Sequence, residues 1–338
     1  MRTLKKEKRG AAVIFYSFPS SIKFAIAPML GWTDRHCRFF YRLLTKKALL
    51  YTEMIVADAV IHGVREQLLA LNHKEHPIAL QLGGSDPQKL AEAARIAEDF
   101  GYDEINLNVG CPSNRVQSGA FGACLMLYPD IVASAVEAIK KVVTLSVTVK
   151  CRVGVDDQDE ELALDLLADK VWNAGCDALW VHARKAWLKG LSPKENRDIP
   201  PLNYNRVYKL KRKYHNKFIG INGGIKSIYE IKEHLILCDA AMVGRQVYHD
   251  PTLLKYIDSE IYGEQQNNLS DSDLIEAMCD YAAQHIASGG LLSHVTRHMI
   301  GLFHGRNGAR RWRQILSNNA RGRDAGIHVL KEAFSALI

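Results

Sequence analysis

The sequence predicts a (β/α)8 barrel followed by a small all-α C-terminal helical domain, on three observations. Short apolar runs alternate with amphipathic helical stretches eight times between about residues 22 and 258, and ~250 residues is the usual length of such a barrel. A polar stretch from Tyr262 to Asn268 then reads as a linker. Beyond it the hydrophobic spacing is helical only. An open doubly wound sheet is the rival arrangement, but it rarely uses eight equal units. The expected boundaries are a loose basic extension over 1–21, the barrel over 22–260 and the helical domain over 261–338.

The expected strands, in order, are FAIAPML (24–30), LLYTEM (49–54), PIALQLG (77–83), EINLNVG (104–110), VTVKCRV (147–153), ALWVHAR (178–184), FIGINGG (218–224) and AAMVGR (240–245). Pro87 to Phe100 and Glu160 to Ala174 are the clearest helices between them. Asp86-Pro87 opens the first of these as an N-cap followed by proline at the first helical position. The C-terminal helices are expected over Asp271 to Ala287, Leu291 to Phe303, and from Gly308 onward. The amino terminus, MRTLKKEKRG followed by AAVIFYSF, has the outline of a short signal peptide. Its only A-x-A, Ala25-Ile26-Ala27, lies inside the first strand, so the basic stretch is read as an extension.

With 24% charged and 47% hydrophobic residues the composition is that of an ordinary globular protein. No run approaches the ~18 apolar residues of a membrane span. Seven scattered cysteines without a CxxC pair argue for a reducing cytoplasm and against a disulfide framework or structural zinc, so no metal is expected. The net charge of +7 mildly favours an anionic partner. A monomer is expected.

The stretch Glu104 to Met126, EINLNVGCPSNRVQSGAFGACLM, organises the chain. Its first half alternates Ile105, Leu107 and Val109 with Asn106 and Asn108, and Pro112 ends the strand just after Cys111. A lone cysteine is usually an inert buried hydrophobe. Here Asn108 precedes it, Gly110 removes bulk beside it, and a small polar loop follows. A thiol so placed is set to meet a ligand.

Active-site groups of such barrels lie at the carboxyl ends of the strands. Those ends carry Pro28 and Met29, Gln81, Asn108 and Cys111, Lys150, His182 and Arg184, Asn222, and Gly244-Arg245. Singly, Lys150 reads as a surface cation, Gln81 as a loop cap and His182 as a satisfied core histidine. Together at one edge they read as a site. The Gly223-Gly224 and Gly244-Arg245 turns follow the seventh and eighth strands, where barrels often bind phosphate through backbone N–H groups. Phosphate there, with Gln81 for a ring's polar edge and Lys150 for negative charge on it, suggests bound FMN. No G-x-G-x-x-G follows a strand, so a nicotinamide donor would visit transiently.

The motifs APMLGWTD, LNVGCPS, VKCRVG, VHAR, INGGI and MVGR, in this order, resemble the tRNA-dihydrouridine synthases, FMN-dependent (β/α)8 enzymes with a helical C-terminal domain. ARKAWLKGLSPKENRDIPPL (183–202) and HGRNGARRWR (304–313) resemble the A subfamily, which in bacteria reduces uridines 20 and 20a of tRNA. The resemblance implies that Cys111 is the general acid protonating C5 of uracil, and that Asn108 and Arg184 contact the target base. It also implies that FMN is held by Pro28, Met29, Leu30, Gln81, Lys150, His182, Asn222, Gly223, Gly224, Gly244 and Arg245. NADPH would be the electron source, the D-loop of tRNA the partner, Lys194 and Arg197 further tRNA contacts, and residues 261–338 the tRNA-binding domain.

The chemistry fits these roles. The C5=C6 bond of uracil is conjugated to a carbonyl, so hydride addition at C6 leaves an enolate that must be protonated at C5. A thiol titrating near ~8.5 keeps its proton at neutral pH, whereas a carboxyl group near ~4 would be ionised. The base must also leave the RNA stack to reach a barrel mouth. Leu291 to Arg323 holds seven arginines (297, 306, 310, 311, 313, 321, 323) and no acid, which suits phosphate. Arg310 and Arg313 share one helical side, with Arg311 turned away. Asn205 to Lys217 holds six Lys or Arg and no acid, and reads first as a solvated face.

Two other readings compete. A small-molecule flavin barrel of the dihydropyrimidine or dihydroorotate dehydrogenase type gives no use to the helical domain. A non-enzymatic RNA-binding scaffold leaves Gln81, Cys111, Lys150 and His182 without purpose.

Overall fold

The computed structural model describes residues 18–113 and 119–337. The N-terminal basic residues 1–17 and the loop centre 114–118 lie outside that range. Eight parallel strands run β1 Phe24–Ile26, β2 Leu50–Val56, β3 Ile78–Gly83, β4 Glu104–Val109, β5 Ser146–Arg152, β6 Ala178–His182, β7 Phe218–Asn222 and β8 Ala240–Val243. They pair in the order β1-β8-β7-β6-β5-β4-β3-β2. The barrel closes where Leu49, just before β2, bonds β1 on either side of Ala25 (Ile26 N to Leu49 O, 2.9 Å; Leu49 N to Phe24 O, 3.0 Å). Among the described residues no helix is long and apolar enough to cross a membrane.

Strand alternation sorts the core into two clusters. Ile105, Leu107, Val109, Val147, Val149, Leu179, Val181, Ile219 and Ile221 face outward and are buried under the surrounding helices. One of these, Pro87–Asp99, starts as expected: the Asp86 carboxylate accepts from the N–H groups of Gln88 and Lys89, ahead of Pro87. The barrel interior holds Ala25, Tyr51, Ala79, Ala178, Trp180, Ala240 and Met242. Packing reaches back into the stretch expected to be loose, since Phe18 is buried with its ring edge-on to Phe218 at 4.5 Å.

Trp180 plugs the barrel below its mouth, edge-on to Tyr51 and Phe218. It fits because its register partner across β6–β7 is Gly220, where any Cβ would collide with the indole ring. Gly220→Ala is therefore expected to cost about 1–3 kcal/mol by overpacking, read as a lowered melting temperature. An unchanged melt would mean that the indole has another place to go.

The linker is pinned rather than loose. Tyr262 accepts from the backbone N–H groups of Lys23 and Phe24, and the Asn267 amide donates to the carbonyls of Leu43 and Leu44. The helical domain contains Asp271–Ala287, Leu292–Thr296, Ala309–Asn319 and Ile327–Ser335. The helix expected over 291–303 stops at Thr296 and continues as turns. The chain here presses Gly301 so close to the backbone of His249 on the barrel that a Cβ would strike its carbonyl. Trp312 is buried, donates to the Met299 carbonyl at 3.1 Å and meets Phe303 edge-on; it packs rather than offering a stacking face.

Candidate active site at the carboxyl ends of the strands

Every second residue of β4 points into the barrel, and these residues are polar. They belong to a hydrogen-bonded column with one direction. The N–H groups of Cys111 (2.9 Å) and Gly110 (3.2 Å) donate to Asn108 Oδ1. Asn108 Nδ2 donates to Gln81 Oε1, and Gln81 Nε2 to Asn106 Oδ1, both at 2.8 Å. Asn106 Nδ2 donates to Thr148 Oγ1 at 2.7 Å, and that hydroxyl donates to Glu104. Tyr51 also donates to Glu104 Oε1, at 2.6 Å, while Glu104 Oε2 is buried without a partner. Burial pushes the Glu104 carboxyl up to about 8, despite the lowering effect of the Thr148 and Tyr51 hydrogen bonds. The barrel interior tolerates these polar side chains because each of them has a hydrogen-bond partner within the column.

Cys111 is half-buried directly beyond β4, with Sγ 3.6 Å from Ser113 Oγ. The carboxamide that holds its backbone is the one tied to Gln81, so the thiol's position is fixed from inside the barrel. Across the register, Asn108 neighbours Lys150, and Arg152 neighbours His182. Lys150 Nζ donates to Asn222 Oδ1 at 3.0 Å, and Asn222 Nδ2 to the Met242 carbonyl at 2.8 Å. Burial first, and the Arg152 charge second, pull the Lys150 ammonium down to about 8. His182 is held well below the usual imidazole range by burial and then by Arg152, Lys150, Arg184 and Arg245, so it stays neutral.

The two glycine turns adjoin this group. Gly223 has φ +118°, and a Cβ there would meet His182 Cδ2 at 2.7 Å. Gly224 follows with φ +73°, and Tyr204 donates to the Gly223 carbonyl at 2.7 Å. Gly244 leaves open the space beside Ala27 and Met29 (3.4 Å to each from an added Cβ). Pro28 and Met29 are half-buried behind β1, and Leu30 is exposed. Arg245 opens the helix Arg245–His249 and pairs with Asp198 at 2.8 Å.

Arg184 reaches the carbonyls of Asp198 and Pro200, with its Nε buried and unpartnered. The Arg197 carbonyl accepts from the Arg245 guanidinium at 3.3 Å, and Lys194 lies exposed on the same loop. The loop is firm. Asn196 is fully buried, bonded in both directions to the Trp187 backbone, and Arg152 donates to the carbonyls of Asn196, Lys185 and Gly110. Sequence reasoning missed Arg152 and Asn106. Both were open to it, since Arg152 continues the inward set Thr148, Lys150, and Asn106 lies between Glu104 and Asn108.

The structure does not bring Arg310 and Arg313 into this group; they sit on the helix Ala309–Asn319 of the other domain, Arg310 exposed and Arg313 half-buried. Arg311 contacts Gln314 of its own helix at 3.3 Å. Two arginines of the acid-free segment are already paired across the fold, Arg297 with Asp34 and Arg306 with Asp271. The strip over 205–217 is largely neutralised: Arg206 and Lys213 pair with Asp165, Lys209 with Glu161 and Lys211 with Asp239.

The dihydrouridine synthase family model matches residues 25–338. The tRNA-dihydrouridine(20/20a) synthase of Vibrio vulnificus is 52% identical over 318 residues, covering 94% of this chain and 97% of that protein. The proteins of the same name from Shewanella oneidensis and Escherichia coli K12 are 54% and 53% identical, over 93% and 92% of this chain and 93% and 90% of their own lengths. Among solved structures, morphinone reductase aligns with a TM-score of 0.50 at 13% identity, over 75% of this chain and 88% of that one, a likeness of fold alone. With the family model spanning the barrel and helical domain together, the chain belongs to the dihydrouridine synthase family.

Proposed function

We propose that this chain reduces the C5=C6 bond of D-loop uridines of tRNA, at positions 20 and 20a, to 5,6-dihydrouridine, using bound FMN and NADPH. The observation that carries this reading is the placement of Cys111. Its backbone N–H is anchored by Asn108 at the rim where Lys150, Arg152, Arg184 and Arg245 gather around a neutral His182. The relatives named above carry the same substrate in their names.

The residues fit the cofactor. The Gly223-Gly224 turn runs its backbone so close to His182, Leu202 and Tyr204 that only glycine fits, and with the Gly244-Arg245 turn it follows the two strands after which barrels bind phosphate, Arg245 supplying a cation there. Gln81 keeps one N–H and one lone pair beyond its column bonds, enough for a ring edge with donors and acceptors. When bound, FMN supplies the hydride for C6. Lys150 places positive charge near the ring position, Cys111 holds the proton destined for C5, and Asn108 and Arg184 orient the base. The exposed Lys194 and Arg197 are placed to meet the RNA strand beside the flipped base.

The helical domain favours tRNA over a small dihydropyrimidine as substrate. Reduction of tRNA lacking dihydrouridine, with no turnover of free uridine, is the expected outcome; turnover of free uridine would overturn the tRNA reading. Denatured protein should release FMN and no FAD. For the RNA grip, replacing Arg310 and Arg313 together by Ala should reduce the salt slope of tRNA binding by about one for each lost phosphate contact. Flavin content should not change. An unchanged slope would move the grip to another surface, and the internally paired strip over 205–217 would be a poor substitute.

A further inference from the structure

We propose that His36, His285 and His294 form a binding site for a divalent transition metal that clips the helical domain to the barrel. The three come from separate elements: His36 from the barrel helix Arg35–Leu44, His285 from the last turn of Asp271–Ala287, and His294 from Leu292–Thr296. One ring nitrogen from each lies within 4.8 Å of the other two. His285 Nε2 and His294 Nδ1 are 3.1 Å apart. Two imidazoles on a tetrahedral zinc ion, with Zn–N of roughly 2.0–2.1 Å, stand about 3.3 Å apart, so this pair needs almost no movement.

Further features shape the site. His36 Nδ1 lies 2.9 Å from the Tyr281 hydroxyl, whose ring stacks on Phe39 at 4.0 Å. With Nδ1 held by the phenol, Nε2 is the free ligand atom, the arrangement in which an outer partner orients a metal-binding histidine. His285 is turned toward the others because Gly290 has no side chain: a Cβ there would collide with the imidazole, and Gly289, at φ +88°, makes the turn. Asp34 adds negative charge near His36, although it is shared with Arg297 and His298; Arg35 opposes it, and is exposed to solvent.

Three imidazoles with no carboxylate or thiolate suit Zn²⁺, Co²⁺, Ni²⁺ or Cu²⁺ and not Mg²⁺ or Ca²⁺. His294 is exposed, so water can fill the fourth position. Bound metal would tie one barrel helix to two helices of the other domain. The sequence concealed this because His36 lies far in the chain from His285 and His294, and none belongs to a cysteine pattern.

The test is titration of the chelator-stripped full-length protein with Zn²⁺ alone, followed by calorimetry and by metal content after gel filtration. One equivalent should bind, and at about 100-fold excess over Kd the melting temperature should rise by a few degrees. Tyr281→Phe should weaken binding by about 10–100-fold. His294→Asn, at an exposed position with little risk to folding, should weaken it at least as much. Gly290→Ala should do the same by displacing His285 without removing a ligand. A folded wild-type protein that takes up no stoichiometric zinc overturns the proposal, and so does zinc binding that survives His294→Asn unchanged.

Discussion

Cys111→Ala is expected to slow uridine reduction by about 10²–10⁴-fold, the usual worth of a positioned general acid, while leaving reduction of the flavin by NADPH nearly unchanged. The thiol takes no part in reduction of the flavin. Its removal also leaves Asn108 in place, because Asn108 holds the backbone N–H of residue 111 and not its side chain. Stopped-flow traces separate the two phases: bleaching on adding NADPH, then tRNA-driven reoxidation. Cys124 supplies the control, a half-buried thiol bonded to the Phe121 carbonyl at 3.0 Å, whose replacement by Ala should change neither phase. Equal slowing of both phases in Cys111→Ala would make the residue structural.

Glu104→Gln should change how stability depends on pH. Burial raises the folded carboxyl to about 8, whereas in an unfolded chain it titrates near ~4.3. Between these values the folded state binds the proton more tightly, so this group's contribution to stability falls as pH rises across that window and is flat above it. Gln keeps an oxygen to accept from Tyr51 and Thr148 but cannot ionise. The stability of the variant relative to wild type should therefore climb with pH by up to about 1.4 kcal/mol per unit across the window. Denaturant melts at pH 5, 6, 7 and 8 measure it. Parallel wild-type and variant curves would mean that Glu104 holds no proton in the folded protein.

The strand order and the rim were legible because both are written in local alternation. EINLNVG shows two faces, and its carboxyl end delivers Asn108 and Cys111 together. Alternation does not say how far a polar face continues inside, so Glu104 and Thr148 were not anticipated as buried partners of Tyr51. Nor does it reveal pairings between distant segments. Arg297 and Arg306 look free in an acid-free stretch, yet they meet Asp34 and Asp271, which lie far away in the chain. Trp180 and Gly220 are likewise complementary only once β6 and β7 lie side by side.

The one-way column from Cys111 to Glu104 has a consequence for how this sequence can drift. Each of Asn108, Gln81 and Asn106 gives a donor downward and receives one from above, so a lone replacement strands groups on both sides. A buried unmatched amide costs about 1–3 kcal/mol, a large share of the 5–15 kcal/mol that holds a typical fold together. Inheritance should therefore treat these positions as a single unit: they persist together or change together, although only Asn108 among them is partly exposed at the mouth, Gln81 and Asn106 being buried.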